Sequence, residues 1–289
     1  MISGIQQSWR LAGRSIELAP PCIMGVLNIT PDSFSDGGSF LAIDRAVDRA
    51  LAMVDEGAGI IDIGGESTRP FAEALSEADE LSRVLPVIEK LAPRLSVPIS
   101  VDTYKAGVAR AALDAGAEIV NDISSLTFDP EMAGVVAAAD AGVVLMHTRG
   151  RPDAMQTNTV YADLVKEITV FFEDALERCD KAGIARARVA LDPGIGFGKD
   201  IQGNLEILRR LAEFSGFDCP LLVGTSRKSF IGAVLDRKVD ARIFGTAATV
   251  AAAVLHGASI IRVHDVSQMR DVAIMAQAIR DGYAPPQAA

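Results

Sequence analysis

The chain has 289 residues, 49% of them hydrophobic, 23% charged and 5% aromatic; this excludes disordered, collagenous and coiled-coil proteins, and the length suits one large α/β barrel or two small domains. With 28 Lys and Arg against 38 Asp and Glu the net charge is −10, so no global basic field exists to hold nucleic acid, and an anionic substrate needs a local basic pocket. Three widely spaced cysteines without a CxxC pattern, Cys22, Cys179 and Cys219, read as reduced, buried thiols of a cytoplasmic protein.

Residues 1–19 lack the uninterrupted apolar core of a signal peptide and read as an N-terminal extension or hairpin. Short apolar runs then recur, each ending in a polar residue or glycine. The first four are 22–27 before Asn28, 60–63 before Gly64, 99–101 before Asp102 and 119–120 before Asn121. Four more follow: 143–146 before His147, 189–191 before Asp192, 221–223 before Gly224 and 260–263 before His264. Continuous Val- and Ile-rich runs are what strands covered on both faces look like, and parallel strands need crossovers. Apolar residues at three- and four-residue spacing predict those crossovers as helices over 42–56, 76–91, 105–115, 131–141, 161–182, 204–214, 241–256 and 266–280. Ser76 with Asp79 reads as a capping box, and Gly57, Gly116, Gly142, Gly183 and Gly257 stand where helix C-caps belong. Strict alternation predicts a (β/α)8 TIM barrel, a single domain over 20–283 with a flexible tail at 284–289. The Ala-rich stretch 247–255 is too short to cross a bilayer.

In such barrels the active site lies at the C-terminal ends of the strands, which turns the strand-stopping residues into a candidate site. Asn28, Thr68, Arg69, Asp102, Asn121, Asp192, Lys228, Arg262 and His264 would share one mouth. Any one of these is more often a turn former than a ligand; their recurrence on most strands is the signal. Asp102, Asn121 and Asp192 supply acceptors and an amide suited to a flat heterocycle with ring N–H and amino donors. Arg69, Arg262 and His264 gather positive charge for a phosphate or diphosphate. Lys228 and Ser229 stand where a helix should begin, a place that favours a carboxylate. His147 reads as a core or rim histidine at the end of the fifth strand and His256 as an ordinary helix-end histidine. Three histidines in all leave little room for a multi-histidine zinc centre. Mg2+ bound through oxygen and substrate phosphates remains open, with Asn28 the best-placed protein group. Glycines 194, 196 and 198 complete neither nucleotide motif, because Lys199 stands where GxGxxG needs its last glycine and Pro193 where a P-loop needs its first one before the lysine. They suit a loop that brings Phe197 over a ring.

The strings GVLNITPDSFSDGG (25–38), DIGGESTRP (62–70), SVDTYK (100–105), NDIS (121–124), LMH (145–147), LDPGIGFGK (191–199), GTSRKSFIG (224–232) and RVHDV (262–266) together resemble the dihydropteroate synthase family of pterin-binding barrels. The resemblance implies a transferase of folate biosynthesis that joins p-aminobenzoate to 6-hydroxymethyl-7,8-dihydropterin diphosphate and releases pyrophosphate. By that resemblance Asp102, Asn121, Asp192 and Lys228 hold the pterin, with Met146, Phe197, Gly224 and the plane of Arg262 lining its pocket. Thr68, Asn28, Arg262 and His264 meet the diphosphate, Asn28 takes Mg2+, and Ser229 with Lys228 receives p-aminobenzoate. Asp102, Lys228, Arg262 and Asn28 carry the catalytic roles.

Segments 30–40 and 67–75 are polar and turn-rich and are expected to close over the site, with Asp36 near Arg69 and Phe34 shielding a developing cation. Phe71 departs from the glycine usual in the family and is expected to change affinity for p-aminobenzoate or sulfonamides. Family members are commonly homodimers, and neither nucleic acid nor membrane is expected as a partner. A methyltransferase acting between a methyltetrahydrofolate and a corrinoid protein shares the pterin contacts but has no diphosphate to bind. A non-catalytic pterin-binding paralogue would typically lose Asn28 or one of Lys228, Arg262 and His264; all are present.

Overall fold

A short antiparallel hairpin, β1 (Ser8–Arg10) and β2 (Ser15–Glu17), precedes the barrel. The computed structural model describes residues 8–29, 39–67 and 74–283. Phe34, Asp36, Thr68, Arg69, Phe71 and the tail 284–289 lie outside the described residues. The barrel strands are β3 (Cys22–Asn28), β4 (Ile60–Gly64), β5 (Ile99–Asp102), β6 (Ile119–Asp122), β7 (Gly142–Met146), β8 (Val189–Asp192), β9 (Leu222–Val223) and β10 (Ile260–Val263). They pair in parallel from β3 through β8, and β10 lies between β3 and β9. A bridge between Leu191 and Leu221 joins β8 to β9 and closes the ring. The helices are α1 (Ser39–Asp55), α2 (Glu77–Leu91), α3 (Ala106–Asp114), α4 (Met132–Ala138), α5 (Leu164–Ala182), α6 (Ile201–Arg210), α7 (Ser229–Leu235), α8 (Ile243–Leu255) and α9 (Val266–Asp281).

Strand side chains alternate between two cores, as the period of two requires. One set, including Ile61, Ile63, Val101, Val143, Leu145, Leu191 and Ile261, packs against the helices. The other set points into the barrel. Its lower members, Met24, Ile60, Ile119, Val144, Ala190, Leu222 and Ile260, form one cluster with Trp9, Leu11, Ile16 and Leu18 of the hairpin region. The hairpin therefore caps the N-terminal end, and Trp9 Nε1 donates to the carbonyl of Arg188 at 2.8 Å.

Helix ends follow their caps. Ser76 Oγ accepts from the Asp79 backbone N–H at 3.1 Å, as the capping box requires. Asp200 Oδ1 accepts from Gly203 N–H at 2.7 Å, so α6 starts at Ile201 instead of 204 and decays into 3-10 turns over Leu211–Phe217. Gly57, Gly116, Gly183 and Gly257 have the positive φ expected after a helix, but Gly142 does not. It opens β7, and a Cβ there would strike Leu11 and come within 3.3 Å of Trp9. Asp140 supplies the left-handed turn after α4 instead, with φ 52°.

Candidate active site

One layer above the apolar plug, the same inward register becomes polar. Advancing two residues along each strand from Ile60, Ile119, Val144, Ala190, Leu222 and Ile260 gives Asp62, Asn121, Met146, Asp192, Gly224 and Arg262. Ser100 pairs with Asp62 across β4 and β5, and Asp102 pairs with Asn121 across β5 and β6. The bottom of the barrel is a packed core and its top a polar floor, a division set by strand register alone.

Arg262 organises that floor. Its Nε donates to Asp62 Oδ2 at 2.6 Å and its Nη2 to Asp102 Oδ2 at 2.7 Å, so the guanidinium is bracketed by two carboxylates. Asn121 Nδ2 donates to the same Asp62 oxygen at 3.1 Å. Burial opposes the Arg262 charge, yet Asp62 and Asp102 hold it above its ordinary value. Three buried oxygens here, Asp62 Oδ1, Asp102 Oδ1 and Ser100 Oγ, have no hydrogen-bond partner among the described residues. Unpaired buried acceptors are costly, and this floor gathers three of them around one guanidinium.

Burial raises Asp102 to about 7 against the attraction of Arg262, and lowers Lys228 to about 8 with help from Arg262. Burial also raises Asp192, whose Oδ1 accepts from Gly194 N–H at 2.7 Å. Burial thus moves Asp102 and Lys228 toward neutrality, while Arg262 between its two carboxylates stays charged.

The loop after β8 folds down onto the end of β7. At Gly194 φ is +70°, and a Cβ would collide with the carbonyl oxygen of His147, so glycine is required there for both reasons. Lys199, buried beneath the loop, binds His147 Nδ1 at 2.8 Å and the Phe197 carbonyl at 2.9 Å. Burial and then Lys199 lower His147 to about 2. Phe197 joins Met146, Ile123, Tyr104 and Met155 in one apolar cluster, and Lys228 Nζ lies 4.2 Å from the centre of its ring. Gly224 leaves room beside Arg262, whose Cβ is 3.6 Å from where a glycine Cβ would stand.

On the other side, Asn28 closes β3 opposite Gly64, and its Oδ1 is 3.8 Å from a Cβ placed there, beside Asp102. His264 follows β10, and its Nδ1 is 3.0 Å from Ser226 Oγ. Burial and the charge of Arg262 lower His264 to about 4. Ser229 opens α7 and lines a separate cavity of about 410 Å³ with Gln156, Gly196, Lys199, Asn204 and Phe230. The structure thus joins Asp102 to Arg262 directly and Asn121 to Arg262 through Asp62, sets Lys228 against Phe197, and places Ser229 in the cavity beside Gly196.

Asp62, Ser100, Lys199 and Ser226 are absent from the strand-end reading. Asp62 carried the strongest signal, an acid inside an apolar run at an inward position. Farther out, Lys105 is held by Glu66 and Glu80, and Tyr104 donates to Glu66 at 2.7 Å.

Comparison with known proteins gives concordant matches. The family model described as pterin binding enzyme matches residues 24–264. The chain is 49% identical to dihydropteroate synthase of Synechocystis sp. over 258 residues, 89% of each protein. It superposes on the Yersinia pestis dihydropteroate synthase with a sulfonamide drug complex at TM-score 0.89 and 45% identity, covering 94% of this chain and 99% of that one. The Xanthomonas albilineans dihydropteroate synthase with 4-aminobenzoic acid also gives TM-score 0.89, at 40% identity, covering 96% and 99%.

Proposed function

The chain belongs to the pterin binding enzyme family, among the dihydropteroate synthases, and we propose that its barrel mouth joins p-aminobenzoate to 6-hydroxymethyl-7,8-dihydropterin diphosphate with release of pyrophosphate. The observation that carries this reading is the Asp62–Arg262–Asp102 bracket with its unpaired acceptors. A pterin edge rich in N–H donors would meet the carboxylate of Asp102, the acid of the bracket with an exposed side, and its flat ring lies against the guanidinium plane. Asn121, Asp192 and Lys228 complete the edge contacts, while Met146 and Phe197 supply the apolar wall.

The C–O bond to the diphosphate breaks with its electron pair leaving on the phosphate oxygen, and the electron-rich dihydropterin carries the resulting positive charge. Ionised Asp102 stabilises that charge, while Arg262 and His264, with Arg69 by family resemblance, receive the leaving group. The arylamine lone pair then forms the C–N bond, and its proton leaves to solvent. An arylamine is unprotonated at neutral pH and needs no dedicated base.

Asn28 fits magnesium shared with the substrate. Its amide oxygen is a single neutral donor without a hydrogen-bond partner among the described residues, beside Gly64 and Asp102, and no cluster of three or more His, Cys, Asp or Glu able to hold a metal occurs among those residues. An ion held by one protein oxygen plus phosphates and water suits Mg2+; when bound, it neutralises charge developing on the leaving diphosphate.

A homodimer in the cytoplasm is part of the same reading. Exposed apolar side chains on α7, α8 and α9, namely Val234, Leu235, Phe244, Met275 and Ile279, support contact with a second copy. All three cysteines are free and buried, which suits a reducing compartment. Among the described residues no helix is long and apolar enough to cross a membrane.

Pyrophosphate release by the purified protein with magnesium should require both substrates. Tight binding of the pterin diphosphate with no release on adding p-aminobenzoate would overturn the synthase reading in favour of a binding module.

A further inference from the structure

Two consecutive residues of the loop between β9 and α7 pair one to one with two consecutive residues after β10. Ser226 Oγ accepts from the His264 backbone N–H at 3.2 Å and lies 3.0 Å from His264 Nδ1. Next to it, Arg227 grips Asp265 with both arms of its fork, Nη2 to Oδ1 at 2.6 Å and Nε to Oδ2 at 3.1 Å. Arg227 has φ 59°, a left-handed conformation that residues with side chains rarely adopt. The ion pair, a Thr246 Oγ1 acceptor for the Arg227 N–H at 3.2 Å and an Arg242 donor to the Arg227 carbonyl at 2.9 Å hold it there.

Ser226 is buried, and its hydroxyl proton has no acceptor among the described residues other than His264 Nδ1. Donation in that direction makes Nδ1 an acceptor, and a neutral imidazole must then carry its one proton on Nε2. His264 Nε2 has no partner among the described residues, so it is the ring's open position.

We propose that Ser226, backed by the Arg227–Asp265 pair, is a positioning residue that fixes His264 as the Nε2–H tautomer, so that a departing diphosphate meets a hydrogen-bond donor there instead of a lone pair. This rests on the diphosphate reading of the mouth. A neutral donor has a use: it stabilises charge on the leaving group without first having to gain a proton. The ring stays neutral at physiological pH because burial and Arg262 both disfavour its charged form. The flanking ion pair prevents the two loops from sliding apart, which would break the Ser226 contact and move Lys228 at the same time.

The chain has three histidines, so ¹⁵N-histidine labelling gives a spectrum that single substitutions assign. Wild-type protein should show His264 as Nε2–H, and Ser226→Ala should shift it toward Nδ1–H or a mixture, with Ser226→Thr restoring the wild-type pattern. Titration with inorganic pyrophosphate should perturb Nε2, and binding should weaken about tenfold in Ser226→Ala and remain near wild type in Ser226→Thr. A merely structural serine would lower stability without changing the tautomer. An Nδ1–H ring in the wild type, or an unchanged tautomer in Ser226→Ala, overturns the proposal. The wild-type tautomer is read without any turnover, so absence of synthase activity sinks the functional reading while this measurement still decides the role of Ser226.

Discussion

Removing Asp62 tests the bracket around Arg262 most sharply, because Asp62 is fully buried and one of its oxygens serves two donors. At an effective dielectric of about 20, opposite charges ~4 Å apart attract by ~4 kcal/mol, and truncating one partner of a buried pair costs about 3–5 kcal/mol. Arg262 is 22% exposed and keeps its bond to Asp102, which places Asp62→Ala near the low end, about 3 kcal/mol in urea unfolding. Asp62→Asn keeps an acceptor for Arg262 and Asn121 and loses only the charge, so it should cost about 1–2 kcal/mol. Losing the charge on one side of the bracket would, however, loosen the guanidinium against which the pterin ring lies. Calorimetry with a pterin should therefore show affinity falling about 10- to 100-fold in Asp62→Asn, out of proportion to its stability. Unfolding free energies within ~0.5 kcal/mol of wild type for both variants, with unchanged pterin affinity, would refute the bracket as the organiser of the floor.

Three other outcomes follow from the geometry. The kcat/KM for the pterin substrate should rise with pH through about 7 as Asp102 ionises and fall above about 8 as Lys228 loses its proton; Asp102→Asn should lose the acid limb, and a flat wild-type profile would contradict the assignment. Gly194→Ala should destabilise by about 2–4 kcal/mol and raise KM for the pterin substrate, since the new Cβ meets the His147 carbonyl and displaces the loop that carries Phe197; urea unfolding and steady-state kinetics read the two effects. Trp9→Ala should cost about 3–5 kcal/mol by emptying the barrel bottom, while KM values measured well below the unfolding transition stay near wild type. A large KM change there would mean that the plug also shapes the mouth.

The barrel was legible in the sequence because buried parallel strands write themselves as short apolar runs with a polar residue at the catalytic end. Asn28, Asp102, Asn121 and Asp192 are all last or next-to-last in their strands, where the change from apolar to polar is visible. Asp62 is hidden because it sits two residues before the end of β4, and only the inward alternation, read together with the need of a buried acid for a partner, reveals it. Arg262 supplies that partner from 200 residues away, a pairing no local pattern contains. Lys199 and His147 are likewise distant in sequence, and both have ordinary explanations, a loop lysine and a rim histidine. Gly142 followed a helix and read as a cap. The hairpin side chains that fill its space come from the start of the chain, a tertiary fact that local spacing cannot express. Helix starts moved where Asp163 and Asp200 accept the first free N–H groups, because a cap outweighs apolar periodicity over one turn.

The most direct test of the central claim is to follow label from p-aminobenzoate into product. With carbon-labelled p-aminobenzoate, pterin diphosphate and magnesium, mass spectrometry should find one labelled dihydropteroate for every pyrophosphate released, with neither formed when Arg262→Ala replaces the wild type. Pyrophosphate released without labelled product, or labelled product from Arg262→Ala at the wild-type rate, would contradict a site in which Arg262 organises both the pterin and its leaving group.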